Sequence, residues 1–184
     1  MNAGKSTALL QSNYNYNERG MDTLLFLPKV DADANKNKIH SRIGLIADAI
    51  SVDTSFDFFE YVQNFKNEKK VDAILIDEVQ FLTKDQVRQI CKISDTLNIP
   101  SMCYGIRTDF RGELFEGSSE LLALADNLIE LKTICYDCGR KATMVVRVDE
   151  DGKVVTEGSK IQIGGNDIYT PVCRKHFRKR TKLI

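Results

Sequence analysis

The chain has 184 residues, of which 42% are hydrophobic and 28% are charged, which is typical of a globular protein with one full core and a small appendage. Its 26 basic and 26 acidic residues balance, which excludes a global electrostatic field drawing the chain to nucleic acid or to a membrane surface. The sequence contains no apolar run as long as a membrane-spanning helix and no signal-peptide pattern, so we expect a cytoplasmic protein without a membrane or nucleic-acid partner.

The chain begins with the closing half of a phosphate-binding loop, whose full pattern is G-x-x-x-x-G-K-[ST]. The residues of this half are Met1, Asn2, Ala3, Gly4, Lys5, Ser6 and Thr7. Such a loop holds a triphosphate with backbone N–H groups, a lysine and a hydroxyl on the magnesium side, and Lys5 and Ser6 supply those side chains. The opening half and the strand before it are absent from the sequence, so we expect Met1 to be an internal methionine of a chain that begins about ten residues earlier.

Helical and strand-like segments alternate from Ser6 to Leu131. Continuous apolar runs predict buried strands over 23–27, 71–76, 101–104 and 127–131, with a shorter strand near 43–47. Helices are expected over 7–20, 56–65, 83–97 and 121–125, and a polar loop over 31–38. This order predicts an α/β fold with a mostly parallel sheet and helices on both faces. In such sheets the ligand lies beyond the carboxyl ends of the strands.

Two carboxylates, Asp77 and Glu78, directly follow the clearest predicted strand. This is a Walker B arrangement, in which one carboxylate faces magnesium or its water shell and the next faces the reacting group. A solvated helix cap is the alternative interpretation of an Asp-Glu pair after a strand. The phosphate-binding loop, which belongs at the same edge of the sheet, favours the catalytic interpretation.

Two metal-ligand knuckles lie in the last third of the chain. Cys135 and Cys138 form a C-x-x-C knuckle, and Cys173 and His176 form a C-x-x-H knuckle. Together they provide the four ligands of an ordinary tetrahedral structural zinc site. The alternative is a thioredoxin-like redox pair at the first knuckle. It is disfavoured because no active-site helix pattern follows and because the second knuckle would have no role.

The segment between the knuckles predicts a small β lobe. Residues 142–148 and 153–155 are expected to form a hairpin, and a glycine-bearing loop is expected over 157–169. The basic run 174–182 is interpreted as a solvated tail. The predicted organisation is therefore a nucleotide-binding domain over residues 1–132, without its first strand, followed by a zinc-binding lobe over residues 133–184.

Six motifs in chain order resemble the type II, zinc-containing thymidine kinases, particularly the bacterial ones. The matching segments are residues 1–7, 77–81, 104–115, 131–138, 163–169 and 172–176. The resemblance implies a P-loop NTPase-like (RecA-like) domain plus a zinc-containing β lobe with a lasso loop over the nucleoside. It also implies transfer of the ATP γ-phosphoryl group to the 5′-hydroxyl of thymidine or deoxyuridine in nucleotide salvage. Members of this family are commonly homotetramers inhibited by thymidine triphosphate.

The resemblance also implies roles for individual residues. Glu78 matches the general base, Lys5 the phosphate-binding lysine, and Ser6 and Asp77 the magnesium site. The complete set matched to ATP and magnesium is Met1, Asn2, Ala3, Gly4, Lys5, Ser6, Thr7, Asp77, Glu78, Val79 and Gln80. The set matched to the nucleoside is Phe81, Phe110, Phe115, Lys160, Ile161, Gln162, Ile163, Gly164 and Tyr169.

Two other functions stay open on the sequence alone. Without its first strand, the polypeptide could be a nucleotide-binding remnant with little turnover. A different P-loop ATPase, such as a recombinase-like motor, would also combine a phosphate-binding loop with a carboxylate after a strand. The late zinc lobe and the segment around Phe110 argue against the motor.

Overall fold

The computed structural model of the protein describes residues 3–30, 37–158 and 168–183. The chain divides into two compact units. The larger unit consists of Gly4–Gly105 and Glu116–Asn127, and the smaller unit contains Ile106–Phe115 together with the chain from Leu128 onward. Most of the predicted loop over 31–38 lies outside the described residues. The predicted boundary between residues 132 and 133 stays a prediction.

The larger unit alternates helices and strands, as the sequence predicts. Its described strands are β1 (Thr23–Pro28), β2 (Lys38–His40), β3 (Ile46–Asp48), β4 (Ile50–Val52), β5 (Ala73–Ile76) and β6 (Ser101–Cys103). Its described helices are α1 (Lys5–Glu18), α2 (Phe58–Glu68), α3 (Lys84–Leu97) and α4 (Glu116–Leu124), with a 3-10 turn at Val79–Phe81.

A parallel sheet in the order β4-β1-β5-β6 forms the centre of the larger unit. One face of the sheet carries Leu25, Leu27 and Leu75, and α1 covers it with Leu9 and Leu10. The opposite face is covered by α2 and α3. Its buried side chains include Leu24, Phe26, Phe58, Val62, Ile74, Ile76, Val87, Ile90 and Ile93. Because helices cover both faces, the predicted α/β class is confirmed.

The smaller unit is built on short antiparallel strands. Its described elements are β7 (Thr133–Ile134), β8 (Lys141–Ala142), β9 (Met144–Val148), β10 (Val154–Val155), β11 (Tyr169–Val172) and α5 (Arg174–Thr181). Strand β9 is central and pairs with β10 on one side and with β11 on the other. The predicted hairpin is therefore confirmed. Within the three described ranges, no helix has both the length and the apolar content that crossing a bilayer requires.

Three predicted segments differ from the structure. The strand expected near 43–47 is displaced, because β3 covers Ile46–Asp48. Residues 127–131 form no strand, and Leu128 and Ile129 are 63% and 84% exposed. An apolar run becomes a strand only where a neighbouring strand takes up its backbone hydrogen bonds, and none of the described strands pairs with this run. The basic run predicted to be a solvated tail instead forms α5, because Phe177 packs in the small apolar core and Thr181, one helical turn later, is also buried.

The 3-10 turn after β5 is held by the close packing of a glycine on α4. A Cβ atom added to Gly117 would lie 2.3 Å from the carbonyl oxygen of Val79 and 2.9 Å from that of Leu82. Both neighbours are backbone atoms, so they cannot rotate away as a side chain could. The position of this turn, and of the polar residues around it, therefore requires that residue 117 has no side chain.

We expect Gly117→Ala to lower the free energy of unfolding by about 1–3 kcal/mol, the usual cost of overpacking a closed interface. The direction of this change in the free energy of unfolding is informative. Alanine within a helix is normally more stabilising than glycine, by roughly 1 kcal/mol, so a loss of stability would point to the steric clash. Urea denaturation measures the change. Ser119→Ala, an exposed substitution on the same helix, is the control. An unfolding midpoint for Gly117→Ala at or above that of the unmodified protein would contradict the prediction.

Candidate functional site

The N-terminus of α1 is arranged to receive an anion. Gly4 immediately precedes the helix in a left-handed conformation, with φ 75° and ψ 25°, and its carbonyl accepts the Ala8 N–H at 2.8 Å. Because Gly4 has no side chain, it cannot cap the helix, and the first turn contains no acidic residue. Uncapped N–H groups and the positive end of the helix dipole are the elements of a phosphate site.

The phosphate-loop residues and the two carboxylates meet at the carboxyl end of β5. The Lys5 ammonium donates to Asp77 Oδ1 at 2.9 Å and also hydrogen-bonds Glu78 Oε1. The Ser6 hydroxyl donates to Asp77 Oδ2 at 2.6 Å. The Asp77 side chain is 4% exposed and that of Glu78 is 23% exposed. Asp77 is thus held in the interior, whereas part of Glu78 is accessible to a substrate.

Lys5 carries its charge under all ordinary conditions. Burial alone would lower the pKa of the Lys5 ammonium, but the charges and hydrogen bonds of Glu78 and Asp77 outweigh it and raise that pKa well above its usual value. A lysine with a raised pKa is protonated throughout the neutral range. Residue 5 therefore supplies a permanent cation beside the helix N-terminus, which a polyphosphate requires.

The backbone at Glu78 aims its side chain at Lys5. Glu78 has φ 50° and ψ 39°, a left-handed conformation that costs a non-glycine residue roughly 1–3 kcal/mol. The Glu78 N–H donates to Asp77 Oδ1 at 2.9 Å, and the Gln80 side-chain amide hydrogen-bonds Glu78 Oε2. The carboxylate is therefore held from two sides, by an ammonium and by an amide. Val79 and Gln80, both buried, fix the turn that follows.

A second cluster, in the smaller unit, has the composition of a zinc site. Ligand atoms of Cys135, Cys138, Cys173 and His176 all lie within 4.8 Å of one another. The His176 Nδ1 atom is 3.5 Å from Cys135 Sγ and 3.4 Å from Cys173 Sγ, and Cys138 Sγ is 3.9 Å from Cys173 Sγ. Ligands around a tetrahedral zinc ion lie about 3.5–3.8 Å apart, so these four residues fit that metal. None of the three cysteines is paired in a disulfide.

An ion pair that the sequence analysis missed lies beside this cluster. Asp137, inside the first knuckle, accepts two hydrogen bonds from the Arg180 guanidinium of α5, with Arg180 Nε at 2.9 Å, and lies 3.9 Å from His176 Nδ1. Burial alone would raise the pKa of the Cys135 thiol, but hydrogen bonds from the Cys173 backbone and the His176 ring lower it to about 6.

The residues matched to the nucleoside are distributed over several elements. In the larger unit, Phe81 is half-buried on the 3-10 turn. In the smaller unit, Phe110 and Phe115 are 1% and 8% exposed, and Tyr169 is half-buried at the start of β11. The predicted nucleoside residues Lys160–Gly164, like the predicted ATP residues Met1 and Asn2, lie outside the described residues. The assigned roles of all these residues stay predictions.

Known proteins resemble this chain over nearly its whole length. Residues 1–177 match the family model described as Thymidine kinase. A thymidine kinase of Photorhabdus laumondii is 56% identical over 177 residues, which cover 96% of this chain and 88% of that relative. A thymidine kinase of Coxiella burnetii is 56% identical over 179 residues, covering 97% of this chain and 91% of the relative. A thymidine kinase of Rhodopirellula baltica is 54% identical over 179 residues, covering 97% and 84%.

Proposed function

The chain belongs to the thymidine kinase family, and on that premise we propose that it transfers the γ-phosphoryl group of ATP to the 5′-hydroxyl of thymidine or deoxyuridine. One observation carries the assignment of its chemistry. The Lys5 ammonium, beside the uncapped N-terminus of α1, contacts both Asp77 and Glu78 at the carboxyl end of β5. A phosphate-binding cation and a potential base therefore share one site.

The N-terminal turn of α1 and Lys5 bind the triphosphate in this proposal. The N–H groups of the turn donate to phosphate oxygens, and the Lys5 charge stabilises negative charge that develops during transfer. Ser6 and Asp77, whose side chains already hydrogen-bond each other at 2.6 Å, offer the hard oxygen ligands that Mg²⁺ prefers. When bound, Mg²⁺ supplies further neutralisation of the phosphate charge.

Glu78 acts as the general base in this proposal. It accepts the proton of the 5′-hydroxyl as that oxygen attacks phosphorus, because a neutral hydroxyl is a poor nucleophile at neutral pH. The Lys5 ammonium contacts the Glu78 carboxylate, so the phosphate-binding cation and the proposed base are direct neighbours.

A structural Zn²⁺ fits the four ligands of the smaller unit. Cys135, Cys138, Cys173 and His176 would fill all four coordination positions, which leaves no position for substrate or water. The ion therefore contributes to folding rather than to the reaction.

Several finer assignments of the proposal depend on the family resemblance. They are contacts of the nucleoside with Phe81, Phe110, Phe115 and Tyr169, a homotetrameric assembly, and feedback inhibition by thymidine triphosphate. We also place the protein in the cytoplasm.

Label transfer from γ-labelled ATP to thymidine tests the proposal. We expect transfer that depends on thymidine and is absent with 5′-deoxythymidine, which lacks the accepting hydroxyl. Binding of ATP without any transfer would instead favour a nucleotide-binding remnant. Release of labelled phosphate at the same rate with and without thymidine would favour a different P-loop ATPase.

A further inference from the structure

A buried arginine on the central strand of the smaller unit has no role in the chemistry proposed above. Arg147 lies on β9 and is 5% exposed, although the strand around it consists of valines and a methionine. Taking a guanidinium out of water is costly unless its charge and its N–H groups find partners. A charge in this position therefore requires a structural or functional explanation.

Two described contacts explain how the buried charge is accommodated. The guanidinium carbon of Arg147 lies 3.9 Å from the centre of the Phe110 ring, well within the range of a cation–π interaction. Its Nη2 atom donates to the backbone carbonyl of Glu157 at 2.7 Å. A planar guanidinium can stack on a ring and donate at its edge at the same time, which a lysine ammonium cannot do.

The residue after Glu157 is a glycine, Gly158, and its backbone lies close to this guanidinium. Gly158 has φ +107°, and a Cβ atom added there would lie 2.9 Å from Arg147 Nη2. The absence of a side chain at residue 158 thus allows the main chain to approach the arginine closely.

Arg147 also neighbours Tyr169. The two residues are directly opposite each other in the antiparallel pairing of β9 with β11, so their side chains leave the same face of the sheet. One cation therefore touches Phe110 and the backbone at Glu157 and stands beside Tyr169. Phe110 and Tyr169 are two of the residues assigned to the nucleoside.

We propose that Arg147 is a positioning residue for nucleoside binding, holding the Phe110 ring and the Glu157 backbone in one fixed arrangement. The inference rests on the proposed function, because the proposed function supplies the nucleoside that these residues would bind. Arg147 would thus affect the affinity for thymidine and not the transfer step, because the described contacts of Arg147 are to protein groups.

Steady-state kinetics of Arg147→Met test this role. We expect the KM for thymidine to rise about 10- to 100-fold, the usual range for losing a hydrogen bond from a charged group, while kcat and the KM for ATP change by less than about threefold. Arg147→Lys, which keeps the charge but loses the planar fork, is expected to raise the KM for thymidine about 5- to 10-fold. Lys153→Met, which removes an exposed cation beside β10 in the same unit, is the control and leaves all three constants unchanged.

Gly158→Ala keeps the test decisive if Arg147→Met fails to fold. The added methyl group pushes on the guanidinium without removing it, and we expect the same selective rise in the KM for thymidine. Hydrogen exchange of the amides of β10, which pairs with β9 at Arg147, is measured without any nucleoside and is expected to be at least tenfold faster in Arg147→Met than in the unmodified protein.

The exchange experiment separates this inference from the proposed function. If the unmodified protein phosphorylates no thymidine, the proposed function fails, but the exchange rates still report whether Arg147 fixes the backbone. A thymidine KM within twofold of the unmodified value in both Arg147→Lys and Gly158→Ala would overturn the inference. So would a loss confined to kcat, because it would place Arg147 in the transfer step.

Discussion

We expect Glu78→Gln to lower kcat for thymidine phosphorylation by about 10²- to 10⁴-fold, the usual contribution of a general base. Glutamine has nearly the shape of glutamate and can still bond with the Gln80 amide, but it cannot accept the hydroxyl proton. The KM for ATP is expected to stay the same or to fall, because Lys5 would lose one of its two competing carboxylates. A fall in kcat without weaker ATP binding is the signature of a group that acts in the transition state.

A folding defect must be excluded as the cause of the lower kcat. In the variant, Lys5 keeps its 2.9 Å contact with Asp77, so no buried charge is left without a partner. The melting temperature is therefore expected to change by only a few degrees. Glu68→Gln, the same chemical change at an exposed position on α2, is the matched control. More than a tenth of the unmodified kcat in Glu78→Gln would show that another group accepts the proton.

Loss of the metal is expected to have the largest effect on structure. We expect Cys135→Ser to abolish zinc binding and to unfold the smaller unit. The apolar cluster that surrounds the metal ligands is small, and its buried members among the described residues are Cys135, Ala142, Val146, Val172 and Phe177. Structural zinc contributes about 10–16 kcal/mol in small zinc domains, which matches or exceeds the whole stability of a typical domain, about 5–15 kcal/mol.

Metal analysis and hydrogen exchange check this expectation together. The unmodified protein is expected to hold one zinc ion per chain, and a strong chelator is expected to remove amide protection from β9 and β11. Protection in β5 is expected to survive, because the apolar layers on both faces of the larger sheet contain none of the zinc ligands. Cys91→Ser, which changes a half-buried thiol on α3, is expected to keep its zinc. Full zinc content and unchanged protection in Cys135→Ser would refute the prediction.

Sequence patterns predicted the parts of the fold in which burial and periodicity agree. β5 is recognisable because all its residues are apolar and both its faces are covered by helices. β4 was missed because three residues are too few to show a period. The strand predicted at residues 127–131 was wrong because hydrophobicity cannot show whether a pairing partner exists.

Candidate site residues were likewise predictable from local motifs and not where their role depends on tertiary contacts. The contact of Lys5 with Glu78 follows from two motifs that both belong at the carboxyl edge of a parallel sheet. The four metal ligands were predictable because the C-x-x-C and C-x-x-H spacings are themselves typical of zinc ligands. Arg147 was not predictable, because a cation among strand valines usually indicates a solvated face. The burial of its guanidinium over an aromatic ring arises only in the folded structure.

The tight contacts of two glycines with the 3-10 turn have a consequence for laboratory evolution. Gly105, like Gly117, has no room for a Cβ atom, which would lie 2.6 Å from Val79 Cγ2. A screen that rewards only soluble expression, and never phosphorylation, would therefore still retain glycine at both positions. Invariance there among the selected clones would report steric exclusion, and it would carry no information about which residues perform the reaction.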